Sequence, residues 1–362
     1  MKYKFANKGA INYKMKVRFY RILQKQLHRF GIYTIYYPSA KSIHYHLKSK
    51  QIIVQNYGLG KLSSSIKASN NHSYYDSLLQ KFVPSWKLDI SRAFFITESG
   101  GGESSLNTFR KVRVDSHWLF EKVYFNSCND VKRIKWLDKH LSIRLLEFGI
   151  KLPELHWTFE GEAFTIAYFD FFDLHNLTSF EVENDLLEIV KRLYQVSEGT
   201  TLIKNKYADI EYLNDFINHF EYKNSIKTAE NRFLKHGILI KEFEQKAKKS
   251  KFIITHGDLH EKNVYKGFVV IDWDNVGLYP IGFEVAFIYY RLLNSGRINN
   301  FSPEWLENKF KNTIQVNDWL DFERNFFYFL FIFYSKSYKI DQYQTIEGIL
   351  IKKLKSYSHH IV

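Results

Sequence analysis

Cysteine is almost missing from this chain: Cys128 is the only one among 362 residues. A single thiol makes no internal disulfide and, by itself, no cysteine metal site, which suits a reducing, cytoplasmic setting. Long apolar runs are missing as well. The longest, Phe326–Tyr334, falls far short of the roughly 20 residues needed to span a bilayer, and reads as a buried helix of the C-terminal half. The opening residues are charged and hold no apolar core segment, so no secretory signal is expected. Internal repeats and long low-complexity linkers are absent too. With 45% hydrophobic and 25% charged residues, the chain reads as a folded globular protein long enough for about two domains.

Acids are scarce in one segment. Residues 1–90 hold 16 Lys and Arg against two acids, Asp76 and Asp89, while the remainder has 36 of each sign. The whole net charge of +14 therefore sits in the first ninety residues. A coding bias toward lysine would act everywhere and would not remove acids from one stretch. Within it, Met15, Phe19, Ile22, Leu23, Leu27 and Phe30 recur at helical spacing opposite Lys14, Arg18, Arg21, Lys25 and Arg29. Such a helix suits either an anionic membrane surface, at about 1 kcal/mol per basic residue, or packing of its apolar stripe on the rest of the protein. A nucleic-acid partner is not expected. It would need aromatics interleaved with basic residues on a recognisable fold, and Tyr33, Tyr36, Tyr37 and Tyr45 alone do not supply that.

From about Arg92 the pattern turns to strands. Ala93–Thr97, Asn107–Val114 and Trp118–Phe125 are expected first, then a helix over Val131–Phe148 stopped by Gly149. Leu155–Phe159 and Ala163–Phe169 follow, joined by Glu160-Gly161. Beyond Asp173 the chain reads as mainly helical, interrupted once by a hairpin over Asn263–Asp272.

The chemistry-bearing stretch is His256-Gly257-Asp258-Leu259-His260-Glu261-Lys262-Asn263, followed by a turn at Lys266-Gly267, an apolar strand Phe268–Ile271, and Asp272. Phosphoryl transfer asks a protein for an aligned nucleophile, a metal across the phosphates and cations where charge accumulates. An Asp with an Asn five residues on, and a second Asp returned beside that Asn by a hairpin, offers a base and two oxygen ligands for a hard cation. Asp274 would share the face of Asp272 by two-residue alternation and serve as an auxiliary ligand. His256 and His260 read as packing and hydrogen-bonding residues of the loop.

HGDLHxxN followed by IDWD resembles the aminoglycoside phosphotransferase and choline kinase-like family over roughly residues 92–340. The resemblance implies an α+β, bilobal protein-kinase-like fold with a five-stranded N-terminal lobe at 91–172, a mainly helical C-terminal lobe at 173–362 and a basic extension at 1–90. It implies ATP and Mg²⁺ as cofactors, Asp258 as the catalytic base, and Asn263 and Asp272 as metal ligands. Gly100, Gly101, Gly102 and Ser104, between two expected strands, would lend backbone N–H groups to phosphates. Lys122, set in the apolar strand context of Leu119–Phe125, would be the phosphate-binding lysine. Its expected acidic partner on the following helix is Asp138, or Glu147, and the adenine hinge should lie near Ala167–Asp170. Glu284 stands where the family commonly has an Asp bonding the catalytic loop's backbone, and its extra methylene weighs against that support.

Two functions remain in view from the sequence. The first is a kinase for a small-molecule or sugar hydroxyl. The alternative is a catalytically silent kinase-like binding module held at a membrane or nucleic acid by residues 1–90. The joint presence of Lys122, Asp258, Asn263 and Asp272 favours the enzyme. No dense acidic cluster outside Glu181–Glu188, read as a solvated helix, marks a site for polycations, and the 18% aromatic content suits sugar faces.

Overall fold

The computed structural model describes residues 83, 85, 90–94, 108–114, 117–125, 130–161, 164–172, 175–178, 181–198, 216–298, 303–335 and 340–358. The basic helix expected over 12–30 and the loop holding Gly100, Gly101, Gly102 and Ser104 lie outside them. The described residues form two compact units. One runs to Val131 and includes Glu154–Phe171; the other comprises Lys132–Pro153 and Phe172 onward.

The first unit is built on an antiparallel sheet of β1 (Ile90–Phe94), β2 (Thr108–Val114), β3 (His117–Phe125), β4 (Leu155–Glu160) and β5 (Phe164–Asp170), in the order β1-β2-β3-β5-β4. β1 begins three residues before the expected start at Ala93. β3 lies between β2 and β5, so its residues meet neighbours on both sides, with Lys122 opposite Phe109 and Ala167. Leu119, Val123 and Tyr124 are buried, as apolar residues of a central strand should be. The same strand buries Glu121 completely. Opposite it in register stands Tyr168, whose hydroxyl donates to the Glu121 carboxylate, so the buried acid has a partner.

Between β3 and β4 runs α1 (Asp130–Glu147), whose Ile134, Leu137, Leu141 and Leu145 recur at three- and four-residue spacing and are buried. Gly149, at φ +73°, ends it in the left-handed conformation that glycine adopts without cost. The rest of the second unit is mainly helical: α2 (Glu181–Glu198), α3 (Phe220–Lys235), α4 (Ile240–Lys249), α5 (Phe283–Asn294), α6 (Pro303–Phe310), α7 (Val316–Tyr334) and α8 (Ile340–Ser358). α7 packs against α3, α5 and α8. The run Phe326–Tyr334 is its buried C-terminal half. Among the described residues no helix is long and apolar enough to cross a membrane.

The helical unit is interrupted twice, once more than the sequence pattern suggests. Besides β7 (Val264–Tyr265) and β8 (Val269–Val270), a second antiparallel pair joins β6 (Phe252–Thr255) to β9 (Gly277–Pro280). Four residues ending in proline are too short to declare a strand by alternation. This pair frames the stretch from His256 to Val276.

Candidate active site

β6 delivers the chain into the loop His256–Asn263, and backbone and side-chain bonds fix the loop from both ends. His256 is fully buried. Its Nε2 donates to the Ile271 carbonyl at 2.8 Å and its Nδ1 accepts from the Asp258 N–H at 3.2 Å. These two bonds set one neutral tautomer, and burial pushes the imidazole down to about 4. Gly257, at φ +78°, could carry no side chain, since a Cβ there would meet the Asn275 carbonyl oxygen at 2.3 Å. The packing and hydrogen-bonding role read for His256 is the one observed.

Glu284, near the start of α5, is 1% exposed. Its carboxylate accepts from the Gly257 N–H at 2.9 Å and from the Leu259 N–H at 3.2 Å. The loop support expected to be weakened by the longer side chain is therefore made. Gly282 explains how: at φ +94°, with the Phe322 carbonyl oxygen 2.5 Å from any Cβ, the backbone turns tightly against α7 just before Glu284. Burial raises Glu284 to about 7 in spite of its N–H donors.

The β7–β8 hairpin returns the chain to the loop. Val264 pairs with Val270, and one step further the Ile271 N–H donates to the Asn263 carbonyl at 3.0 Å. Asp272, next along, is thereby brought beside Asn263. It takes φ +63°, one of two described non-glycine residues with positive φ, and Asp is among the few side chains that tolerate it. The chain then enters a 3-10 turn, Trp273–Asn275. The alternation that would have put Asp274 on the face of Asp272 ends there, because a helical turn has no two-residue period. Trp273 is buried against His256, with ring centroids 4.7 Å apart.

Asn263 is turned by its own amide: Nδ2 donates to the Asp258 carbonyl at 2.9 Å, leaving Oδ1 as an acceptor. Asp258 is pushed up to about 8, first by burial and then by the charge of Asp272. Glu284 and Glu221 add to the rise, and Arg291 opposes it. Two carboxylates that repel, beside an amide oxygen, are a donor set that fits a hard divalent cation. Among the described residues no group of three or more His, Cys, Asp and Glu side chains could hold a metal alone. A cation here would complete its shell with oxygens from outside the protein, as Mg²⁺ does on phosphates.

His219, which no sequence motif singles out, also reaches the loop. It caps α3, and its Nε2 lies 2.6 Å from the Gly257 carbonyl oxygen. In the other unit, Lys122 is 8% exposed with its Nζ 4.9 Å above the Tyr124 ring. Asp138 lies half-buried in the middle of α1 and Glu147 exposed at its end. At the end of β5, His156 Nε2 meets Asp170 Oδ1 at 2.7 Å, in the segment expected to be the adenine hinge.

Residues 139–321, just over half of the chain, match the phosphotransferase enzyme family. The chain belongs to that family. The matched region runs from within α1 to within α7 and contains the whole loop and hairpin. Similar solved structures include a microcompartment-associated aminopropanol kinase, at 12% identity and TM-score 0.46, covering 79% of this phosphotransferase and 98% of that chain. Another is the aminoglycoside phosphotransferase APH(4)-Ia, at 13% identity and TM-score 0.46, covering 79% and 97%. A polyglutamine-repeat protein of Caenorhabditis elegans, pqn-41, is 26% identical over 138 residues, which are 36% of this chain and 6% of that protein.

Proposed function

We propose that this phosphotransferase moves the γ-phosphate of ATP to a hydroxyl of a small molecule or sugar. The observation that carries the reading is the convergence of Asp258, Asn263 and Asp272 through a hairpin with a backbone bond from Ile271 to Asn263. Asp258 acts as the base, taking the acceptor's proton as its oxygen bonds to phosphorus and the bond to ADP breaks. Burial and the Asp272 charge give it proton affinity, which suits that task. Asn263 and Asp272 would hold Mg²⁺, and the chemistry it would supply is neutralisation of charge on the phosphate oxygens; Asp274, carried into the 3-10 turn, loses the alternation that suggested it as an auxiliary ligand. Lys122 meets the phosphates, and Gly100, Gly101, Gly102 and Ser104 cover them with backbone N–H groups. The fold in this reading is kinase-like and bilobal, with lobes at 91–172 and 173–362 and a basic extension at 1–90.

The test is ADP release from Mg-ATP across a panel of sugars, amino alcohols and aminoglycosides, repeated with Asp258→Asn. Turnover should fall by about 10²–10⁴ while nucleotide still binds. Unchanged turnover would remove Asp258 as the base. Asp272→Asn should abolish the Mg dependence of nucleotide binding, and its full retention would remove Asp272 as a ligand.

A further inference from the structure

The peptide unit joining Gly257 to Asp258 is held at both of its polar ends by imidazoles. Its N–H donates to His256 Nδ1 at 3.2 Å, from within the loop. Its carbonyl faces His219 Nε2 at 2.6 Å, from a residue 38 positions earlier in the chain. We propose that His219 is a positioning residue for Asp258, fixing from the N-cap of α3 the backbone plane from which that side chain departs.

The direction of the bond follows from the other ring nitrogen. His219 Nδ1 accepts from the Glu221 N–H at 3.3 Å, so the proton sits on Nε2 and is donated to Gly257. Capping α3 requires only the Nδ1 contact. A Ser, Asp or Asn would make it with a shorter side chain, and none of these would also span to Gly257. The ring has little freedom to swing. It is 2% exposed and meets Phe220, Phe283, Phe287 and Tyr279 at centroid separations of 4.6, 5.0, 5.3 and 5.9 Å. Burial keeps it neutral, at about 4, so the donor is not exchanged for a charge at working pH. With Glu284 on the Gly257 N–H, the loop is held from α3 and α5 at successive backbone groups.

The catalytic weight of this bond rests on Asp258 being the base, and two variants separate its two roles. His219→Asn keeps a short acceptor for the α3 cap but does not reach Gly257. His219→Gln keeps a long N–H donor and loses the cap. Two readouts are needed: kcat and KM for ADP release from Mg-ATP with water as acceptor, and hydrogen exchange of the Asp258 and Glu221 amides in the full chain. Positioning predicts that Asn lowers kcat by about 10²-fold with the nucleotide KM unchanged, and speeds exchange at Asp258 only. Gln should stay near wild type in kcat and speed exchange at Glu221 only. Capping alone predicts an unchanged kcat and a protected Asp258 amide in the Asn variant, which would overturn the proposal. If the wild-type protein releases no ADP with water or with any acceptor of the panel above, the proposed function fails, and exchange at Asp258 still decides whether His219 holds the loop. A variant that does not fold leaves the decision to the other, since each makes opposite predictions at the two amides.

Discussion

Glu284 accepts two backbone N–H groups in a place closed to water, so its loss leaves both donors without an acceptor. Each unsatisfied buried donor costs about 1–3 kcal/mol. Glu284→Ala should lower unfolding stability by about 2–6 kcal/mol in urea titration, and a change below about 1 kcal/mol would mean the carboxylate does not support the loop. Residues differ in how visible such work is from sequence. The return of the chain to Asn263 by a hairpin was legible, because the turn at Lys266-Gly267 and the apolar run before Asp272 set its length. Glu284 was located, but its reach was not, since that depends on how tightly Gly282 turns against α7. His219 was invisible: no local spacing links an N-cap to a loop 38 residues later, and only the packing of α3 beside the loop brings them together.

Among the elements, α1 was readable from its period and its glycine stop, because one face is buried and the other is not, whereas β3 and β5, buried on both faces, were readable as apolar runs between turns. α7 was readable only as buried. Its C-terminal half is apolar all round, so no stripe reveals which neighbour each side meets. Phe329 is fully buried and lies 4.8 Å from the Phe283 ring and 5.3 Å from that of Phe216. Phe329→Ala should cost about 3–5 kcal/mol, whereas Leu320→Ala, at an exposed position of the same helix, should stay within about 0.5 kcal/mol. Equal effects on the chemical-denaturation midpoint would contradict this packing of α7. The β6–β9 pair escaped the sequence reading because its stability comes from its surroundings, not from an alternating pattern of its own.

For the whole molecule, buried titratable groups set a pH optimum. His219, His256 and His260 are each lowered from 6.5 to about 4. Between those values the unfolded chain binds protons that the folded one refuses, so their contribution is lost as pH falls through that window. Glu284 and Asp258 are raised from 4.5 and 3.8 to about 7 and about 8. There the folded chain binds more protons, and stability is lost as pH rises toward those values. The histidines therefore oppose acid and the two acids oppose alkali. The metal-free protein should therefore be most stable between about pH 6 and 7 and lose stability toward both pH 5 and pH 8. Thermal midpoints that rise steadily from pH 5 to 8 would refute this balance. One tie has a further consequence for how the molecule can be divided. Lys151, on the stretch that follows α1, donates its N–H to the Phe268 carbonyl and accepts from the Val270 N–H, becoming a third strand-like edge of the β7–β8 hairpin. Arg192 meanwhile bonds the carbonyls of Phe148 and Gly149. The candidate catalytic machinery is therefore discontinuous in the chain and cannot be excised as one C-terminal fragment. A gene cut at residue 173 would discard the strap that closes its hairpin.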